Sequence, residues 1–163
     1  MSDVLVLDLD GTVADAQHRE HYADEDDYDS FFDPDLVYQD EPIAKAQKSL
    51  PKILPKFDRL VFLTGRPSRL KNVTQEWLSE HFNLDTGDYK LYMRENEDVR
   101  PSKIVKKELI EEFLSPDDEA VFIDDETENL SMMGTFGIAL GVPEAWDVLI
   151  EEEFEEEEEQ DYG

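Results

Sequence analysis

VLVLDLDGT, residues 4–12, joins four apolar residues to two aspartates, a glycine and a threonine. The apolar run is typical of a strand buried on both faces, as parallel strands between layers of helices are. Asp8 and Asp10 are two residues apart, so their side chains project to the same side of an extended backbone. Gly11 allows a sharp turn directly afterwards. The stretch therefore predicts a core strand that ends in a pair of carboxylates.

Two carboxylates held together at the end of a core strand repel each other unless a cation or a shared proton offsets their charge. Mg²⁺ suits such a place, because it takes oxygen ligands and needs only one or two protein carboxylates besides substrate oxygens. The alternative is that Asp8 and Asp10 only cap the following turn. A turn needs one Asp, whereas this strand ends in two, so the metal site is the favoured interpretation.

The composition predicts one folded domain over residues 1–150. The chain has 163 residues, of which 39% are hydrophobic, enough for a sizeable core. It contains neither an apolar run long enough to span a bilayer nor a signal segment, so we expect a cytoplasmic protein with no membrane partner. The absence of cysteine excludes disulfides, thiolate metal sites and thiol catalysis.

The acidic excess is the most unusual feature of the composition. There are 43 Asp and Glu against 15 Lys and Arg, a formal charge of −28, and the acids are spread along the whole chain. At roughly molar salt the screening length falls to about 3 Å, so such a surface would repel itself only weakly. We therefore expect a halophilic source. Residues 151–163, almost all Glu, are predicted to be an acidic disordered tail.

Strands and helices alternate along the rest of the chain. After the opening strand, strands are predicted at 59–63, 89–93, 119–123 and 136–140, and helices at 42–56, 68–80, 102–114, 126–134 and 145–150. Residues 14–41 lack a clean period and are rich in acids and aromatics, which predicts a flap or small cap with a short helix at about 26–33. The alternation predicts an α/β fold with a five-stranded parallel sheet.

Polar residues follow three of these strands. Asp8 and Asp10 end the first, Thr64 ends the second, and Asp124 and Asp125 end the fourth. Ligands of parallel sheets bind beyond the carboxyl ends of the strands. If the first and fourth strands are neighbours, the four aspartates converge on one cation.

Such a cluster favours a phosphate site. The metal would join the protein to a phosphate oxygen, Thr64 and nearby amides would donate to others, and a lysine would neutralise developing charge. A metal-bound carboxylate stays nucleophilic, while a neighbour with a raised pKa can protonate the leaving oxygen. The chain lacks a GxxxxGK[ST] motif, which argues against kinase activity.

Four motifs resemble those of the haloacid dehalogenase superfamily over residues 3–142. They are Asp8-Leu9-Asp10-Gly11-Thr12, Thr64-Gly65-Arg66, a helix-borne lysine, and Asp124-Asp125. The resemblance implies a Rossmann-like three-layer sandwich, with Asp8 as nucleophile and Asp10 as general acid and base. It implies Mg²⁺ held by Asp8, the Asp10 carbonyl and Asp124, with Asp125 in support. The short insertion is similar to that of capless members, which accept large substrates.

A narrower resemblance is to the phosphatase domain of bacteriophage-type polynucleotide kinase/phosphatase. The similar segments are DLDGTVADAQHREHY (8–22), Phe31-Phe32, residues 40–43, LTGRP (63–67) and MRENEDVRPSKIVKKEL (93–109). This implies removal of a terminal 3′-phosphate from a nucleic acid or nucleotide, and a kinase or ligase as repair partner. Arg19, Gly65, Arg66 and Arg100 would bind substrate, and Lys106 would be the catalytic lysine. Lys103 is the alternative, because the relatives carry Asp where this chain has Ser102.

Each assignment has a simpler alternative. Arg19 and Arg66 could be surface ion-pair partners in so acidic a protein, Asp125 a helix cap, and Lys106 an exposed helix residue. The aromatic residues of the flap, Tyr22 to Tyr38, could stack on bases or merely pack the flap.

Two other functions share these motifs. A phosphatase of free nucleotides or other small phosphate esters would differ only in the flap. A non-enzymatic receiver-like signalling domain also uses an acidic cluster, Thr and Lys. It would need an Asp after the third strand, where this chain has Arg94-Glu95.

Overall fold

A five-stranded parallel sheet forms the centre of residues 2–151, the part of the chain that this computed structural model describes. In chain order the elements are β1 (Asp3–Leu7), β2 (Ala14–Asp15), α1 (Glu20–Asp24), α2 (Tyr28–Phe31), α3 (Pro34–Tyr38), β3 (Glu41–Pro42), α4 (Ala44–Ile53), β4 (Arg59–Pro67), α5 (Lys71–Phe82), β5 (Lys90–Arg94), α6 (Ser102–Phe113), β6 (Glu119–Asp124), α7 (Thr127–Met133), β7 (Ile138–Gly141) and α8 (144–151). The strand order is β5-β4-β1-β6-β7. β1 is therefore central, and the first and fourth strands of the sheet in chain order, β1 and β6, are neighbours.

Helices cover both faces of the sheet, which makes the α/β fold a three-layer Rossmann-like sandwich. Leu5 and Leu7 of β1 face a core that includes residues of α4, α5 and α8, while Val4 and Val6 face one that includes residues of α6 and α7. All four side chains are at most 1% exposed. β1 is thus buried on both faces, as its unbroken apolar run predicts.

The flap begins and ends in a two-stranded antiparallel ladder of β2 and β3. Between these strands lie three short helices, α1 to α3, and not the single helix predicted at about 26–33. Asp33 starts a helix where one was expected to end, since its side chain accepts from the backbone N–H groups of Asp35 and Leu36 and Pro34 follows it.

Several predicted boundaries also move. The helix predicted at 42–56 is shorter at both ends. α4 begins only at Ala44, because Pro42 belongs to β3, and a 3-10 turn at Leu54–Lys56 follows it. The helix predicted at 68–80 begins with a 3-10 turn, and α5 ends at Phe82. The strand predicted at 136–140 starts only at Ile138, because the amides of Phe136 and Gly137 bond back to Met133.

Two further expectations concern membrane-spanning helices and the C-terminal tail. Within residues 2–151, no helix has the length and apolar character needed to cross a membrane. Glu151 is the last helical residue described, and the rest of the predicted acidic tail lies outside the described residues.

Candidate active site

Three carboxylates meet where β1 and β6 end. Leu7 pairs with Ile123, and the amide of Asp8 donates to the Ile123 carbonyl at 3.0 Å, so Asp8 and Asp124 stand side by side. One oxygen from each of Asp8, Asp124 and Asp125 lies within 4.8 Å of the others. Asp8 and Asp124 are buried, whereas Asp125 lies at the exposed side of the cluster.

The turn after β1 lets Asp125 approach. Gly11 has φ +84°, and a Cβ at this position would lie 2.0 Å from Asp125 Oδ2. A side chain here would be strained and would collide with the cluster. The buried Thr12 hydroxyl lies 3.5 Å from Asp8 Oδ2. The glycine of the DxDGT motif thus serves both the turn and the close packing of the acids.

Lys106 reaches this cluster from α6. Its Nζ donates to Asp8 Oδ1 at 2.9 Å and to Asp124 Oδ2 at 2.7 Å, and its side chain is 2% exposed. Lys103 lies on the outer side of the same helix, 3.9 Å from Glu128, with its side chain 47% exposed. Of the two candidate lysines, the structure therefore brings Lys106 to the acids.

The electrostatics of the cluster leave negative charge uncompensated. Burial raises the pKa of Asp8 well above its usual value, Lys106 opposes this, and Asp124 and Asp125 add to it. Burial alone would lower the pKa of Lys106, but Asp8 and Asp124 hold it above its ordinary value. Of the three carboxylates, only Asp8 and Asp124 bond to the single ammonium, and the oxygens of all three are the ligands that a hard divalent cation takes. The residues present fit such an ion.

Asn129 is a member of the site that sequence reasoning missed. Its Nδ2 donates to both oxygens of Asp124 at 3.3 Å, and the Glu126 amide donates to Asp124 Oδ1 at 3.0 Å. Among the described residues, the buried Oδ1 of Asn129 has no hydrogen-bond partner. An Asn on the helix directly after an acidic strand end is the signal that could have identified it.

Asp10 does not join the acidic cluster, so the prediction that the four aspartates converge on one cation is wrong for its side chain. Its carboxylate instead points into a second cluster, which we call the arginine cluster: Asp10, Arg19, Asp40 and Arg66. Asp10 Oδ1 accepts from Arg19 Nη2 at 2.7 Å and from Arg66 Nη2 at 2.6 Å. Burial raises the pKa of Asp10, but Arg66 and Arg19 outweigh it and lower the pKa to about 2. Asp10 is therefore ionised in the free protein, and both arginines are buried rather than on the surface.

Thr64 and Gly65 lie where β4 passes the arginine cluster. The buried Thr64 Oγ1 accepts from the Arg66 amide at 3.1 Å, which leaves its own O–H free to donate elsewhere. A Cβ on Gly65 would lie 3.4 Å from Ser102 Oγ, and the Gly65 carbonyl accepts from Arg94 Nε at 2.7 Å. A Cβ at position 65 would therefore meet Ser102 only at van der Waals distance, so the packing here admits a small side chain.

Arg100 stands apart from both clusters. Its guanidinium pairs with Asp98 at 2.8 Å and with Glu108 at 2.7 Å, and its side chain is 46% exposed. The structure therefore does not bring it to the acidic cluster. Arg94, which the sequence did not single out, instead ties this loop to β4 by donating to the carbonyls of Gly65, Asp98 and Arg100.

Comparison with known proteins relates the chain to one family of domains. The family described as the polynucleotide kinase PNKP phosphatase domain matches residues 2–141. No curated protein matches the chain.

Solved structures share the fold. A chain in the structure of the Pnkp1/Rnl/Hen1 RNA repair complex is 20% identical, with a TM-score of 0.71, and the match covers 87% of this chain but only 42% of that one. A haloacid dehalogenase-like hydrolase from Streptococcus pneumoniae is 14% identical, with a TM-score of 0.60, over 85% of this chain and 83% of its own. D,D-heptose 1,7-bisphosphate phosphatase from B. bronchiseptica, complexed with magnesium and phosphate, is 14% identical, with a TM-score of 0.51, over 84% and 78%.

The match to the family extends from the first described strand to the last, and it includes both strand ends that carry the acids. The chain therefore belongs to the polynucleotide kinase PNKP phosphatase domain family, within the HAD-type phosphatases.

Proposed function

We propose that the protein is a Mg²⁺-dependent phosphomonoesterase that forms a phosphoaspartate on Asp8 and removes 3′-phosphate from polynucleotide ends. The observation that carries the proposal is the setting of Asp8. One of its oxygens bonds to Lys106, and two further carboxylates lie within 4.8 Å. Lys106 favours the ionised form of Asp8 against the burial and the neighbouring acids that raise its pKa, and a metal ion held by these acids would favour the ionised form further.

The acidic cluster would hold the ion. Asp8, Asp124 and Asp125 are the proposed carboxylate ligands, with the Asp10 carbonyl as a further oxygen donor. When bound, Mg²⁺ neutralises the carboxylates and the phosphate oxygens. Asn129 and Lys106 keep Asp124 in place through their hydrogen bonds.

Asp8 and Asp10 carry out the two chemical steps of the proposed reaction. An oxygen of Asp8 attacks phosphorus, the ester P–O bond breaks, and Asp10 gives a proton to the leaving oxygen. Water next attacks phosphorus while Asp10 takes its proton, the P–O bond to Asp8 breaks, and inorganic phosphate leaves with the Asp8 carboxylate restored. Thr64 donates a hydrogen bond to one phosphate oxygen, and Arg19 and Arg66 bind other phosphate oxygens.

The arginine cluster imposes a condition on this sequence. Asp10 cannot donate a proton while both guanidinium groups hold it ionised, with a pKa of about 2. Arg19 and Arg66 pair with Asp10 at 2.7 Å and 2.6 Å, and a bound phosphate would compete with Asp10 for these two guanidinium groups. Once the phosphate occupies the arginines, the pKa of Asp10 would rise, and Asp10 would take up a proton from solvent that it then gives to the leaving oxygen.

Family membership supports a nucleic-acid end as substrate, and the RNA repair complex among the structural neighbours supports a kinase or ligase partner. The flap adds an exposed Tyr28 beside Phe31 and Phe32, a surface on which a base could stack. Hydrolysis of free nucleotides or other small phosphate esters is the second candidate.

Removal of divalent metal is the first test. Treatment with EDTA should abolish phosphate release, and added Mg²⁺ should restore it. Mg²⁺ should also raise Tm, because it binds the folded acidic cluster and offsets the repulsion there. Full activity in EDTA after exhaustive dialysis would contradict the metal dependence.

The substrate is tested by comparing a 3′-phosphorylated oligonucleotide with the same oligonucleotide phosphorylated at its 5′ end and with a 3′-mononucleotide. We expect kcat/KM to be at least about tenfold higher for the 3′-phosphorylated oligonucleotide, since one stacked base adds roughly 1–3 kcal/mol of binding. All substrates must be compared at one salt concentration. Equal or higher kcat/KM for the mononucleotide would favour the second candidate.

The formal charge of −28 supports a halophilic source and a cytoplasm rich in salt as the setting. Thermal unfolding at about 0.1 M and about 3 M KCl tests this, because the stronger screening at high salt should raise Tm. An unchanged or lower Tm at high salt would contradict salt adaptation without touching the proposed chemistry.

A further inference from the structure

We propose that Tyr28 is a specificity-determining residue of the flap: it stacks on the base of the nucleotide that precedes the 3′-terminal one. Such a contact selects ends of at least two nucleotides, and so favours a polynucleotide end over a free nucleotide. The inference rests on the proposed function, in which Arg19 and Arg66 bind the terminal phosphate.

Three aromatic side chains at α2, Tyr28, Phe31 and Phe32, form what we call the aromatic shelf. The centre of the Tyr28 ring lies 6.4 Å from the centres of both the Phe31 and the Phe32 rings, and these two are 4.8 Å apart. Tyr28 is 53% exposed, whereas Phe31 and Phe32 are half-buried. Tyr28 is therefore the ring that the shelf offers to a ligand, and the two phenylalanines support it.

The shelf begins at an arginine that would bind the phosphate. The guanidinium carbon of Arg19 lies 4.7 Å from the centre of the Phe31 ring, a cation–π contact, and Arg19 Nη1 donates to the Phe31 carbonyl at 3.0 Å. Phe31 thus occupies the space next to Arg19, and Tyr28 lies one ring further out. A phosphate bound to Arg19 has its own nucleoside beside Phe31, so Tyr28 is where the next base arrives.

Contacts with the end of β4 hold the shelf at the edge of the site. Arg69, which follows β4, donates to the Phe32 carbonyl at 3.0 Å. Burial lowers the pKa of Arg94, and Tyr28 is among the groups that oppose this, so the Tyr28 hydroxyl lies near that guanidinium. Arg94 in turn donates to the Gly65 carbonyl at 2.7 Å. Tyr28 therefore stands between the flap and the strand end that carries Thr64 and Gly65.

The charge of the protein also favours recognition through a base. A formal charge of −28 repels the phosphate backbone of a nucleic acid. Contacts between cations of the protein and backbone phosphates weaken further as salt rises. Stacking of a base on an aromatic ring needs no charge and tolerates any sequence. The shelf is thus a means by which an acidic protein can hold a nucleic-acid end in concentrated salt.

The proposal is tested with 3′-phosphorylated oligonucleotides of one sequence that contain a single abasic residue. An abasic residue at the penultimate position should lower kcat/KM of the wild-type protein about tenfold, because it removes the base that stacks on Tyr28. An abasic residue in the middle of the oligonucleotide should change kcat/KM by less than about twofold. Equal values of kcat/KM for the two abasic positions would overturn the proposal.

Substitution of Tyr28 assigns the effect to this ring. Tyr28→Ala should lower kcat/KM about tenfold for the intact oligonucleotide, but by less than about twofold for the one that lacks the penultimate base. Tyr28→Phe should behave as the wild-type protein does, since the ring and not the hydroxyl stacks. If Tyr28→Ala lowers kcat/KM equally for both substrates, Tyr28 only packs the flap and the proposal is wrong.

Tyr38→Ala is the matched control. Tyr38 lies on α3 of the same flap and is 43% exposed, but its hydroxyl donates to Glu80 of α5. Its removal should leave kcat/KM for both substrates within about twofold of the wild-type values. A loss as selective as that of Tyr28→Ala would contradict the assignment of the contact to Tyr28.

Binding to the Asp8→Asn variant gives a measurement that does not depend on turnover. In ¹H–¹³C NMR with Mg²⁺, a 3′-phosphorylated dinucleotide should move the Tyr28 ring signals upfield, because a stacked base shields them, and leave those of Tyr38 in place. Tyr28 signals that stay in place at saturation, or that move as far with a 3′-mononucleotide, would overturn the proposal. Stacking without release of phosphate by the wild-type protein would contradict only the proposed function, so the two failures are distinguishable.

Discussion

Replacing Asp8 by asparagine is expected to lower kcat by about 10⁵-fold or more, since an amide cannot form the acyl phosphate on which the proposed reaction depends. Release of inorganic phosphate from a 3′-phosphorylated oligonucleotide measures this. The matched control is Asp147→Asn, which makes the same chemical change in an exposed ion pair with Lys45 and should leave kcat unchanged. Substantial turnover by Asp8→Asn would show that another group attacks phosphorus.

The same variant should be more stable than the wild-type protein when divalent metal is absent. Burial and the neighbouring acids raise the pKa of Asp8 in the folded state, so its ionised form favours the unfolded chain at neutral pH. A neutral amide removes that cost, and each kcal/mol gained should raise Tm by roughly 2–4 °C. The gain should shrink as the pH falls towards about 3.9, where the unfolded carboxyl also becomes protonated. A lower Tm for Asp8→Asn at pH 7 would mean that the attraction between Lys106 and ionised Asp8 outweighs both the cost of burial and the repulsion from the neighbouring acids.

Replacing Lys106 by methionine is expected to be the most destabilising of the substitutions considered. It leaves Asp8 and Asp124 buried without their shared ammonium, and breaking a buried ion pair in this way costs about 3–5 kcal/mol. The variant should also lose about 10³-fold in kcat/KM, because the charge that develops on the phosphoryl group is no longer offset. Chemical denaturation and phosphate release measure the two effects.

Lys103→Met is the control within the same helix. Lys103 is half exposed, and its nearest acid, Glu128, is 3.9 Å away, so Tm and kcat/KM should stay close to the wild-type values. Mg²⁺ should return part of the stability lost in Lys106→Met, because it supplies positive charge to the same carboxylates. The reverse order, with Lys103→Met the more damaging, would make Lys103 the functional lysine.

The fold and the acidic cluster could be predicted because both follow from local patterns. An apolar run followed by DxDGT specifies a buried strand with carboxylates at its end, and the alternation of strands and helices specifies a parallel sheet. In such a sheet the ends of adjacent strands meet, which brings Asp124 beside Asp8 once β1 and β6 are neighbours. The resemblance implies that Lys106 is the catalytic lysine, and the structure places its ammonium between Asp8 and Asp124.

The arginine cluster could not be predicted in the same way. Arg19 and Arg66 are 47 positions apart in the chain, and surface ion pairs were a reasonable alternative for both in so acidic a protein. Their burial depends on how the flap folds back onto β4, and no local period encodes that contact. Asp40 went unnoticed as a site residue for the same reason, since its partners come from the flap and from β4.

The helices of the flap are a different case, because the sequence contained a signal that the prediction overlooked. Asp33 followed by Pro34 is typical of a helix start, and Asp27 caps the preceding helix by accepting from the Ser30 amide. Asp26 has φ +59°, a left-handed conformation that cannot continue a right-handed helix, so α1 and α2 are separate helices. The single helix predicted at about 26–33 was therefore wrong for a reason that capping rules explain.

Trapping of the covalent intermediate tests most directly whether the acids at the ends of β1 and β6 form a phosphoryl-transfer site. The protein is mixed with Mg²⁺ and a 3′-phosphorylated oligonucleotide, quenched within one turnover, reduced with borohydride and digested for mass spectrometry. We predict that Asp8 alone is converted to homoserine, and that the product is missing without substrate and in Asp8→Asn. Full turnover with no modified Asp8, or with the modification on another carboxylate, would contradict the proposed site.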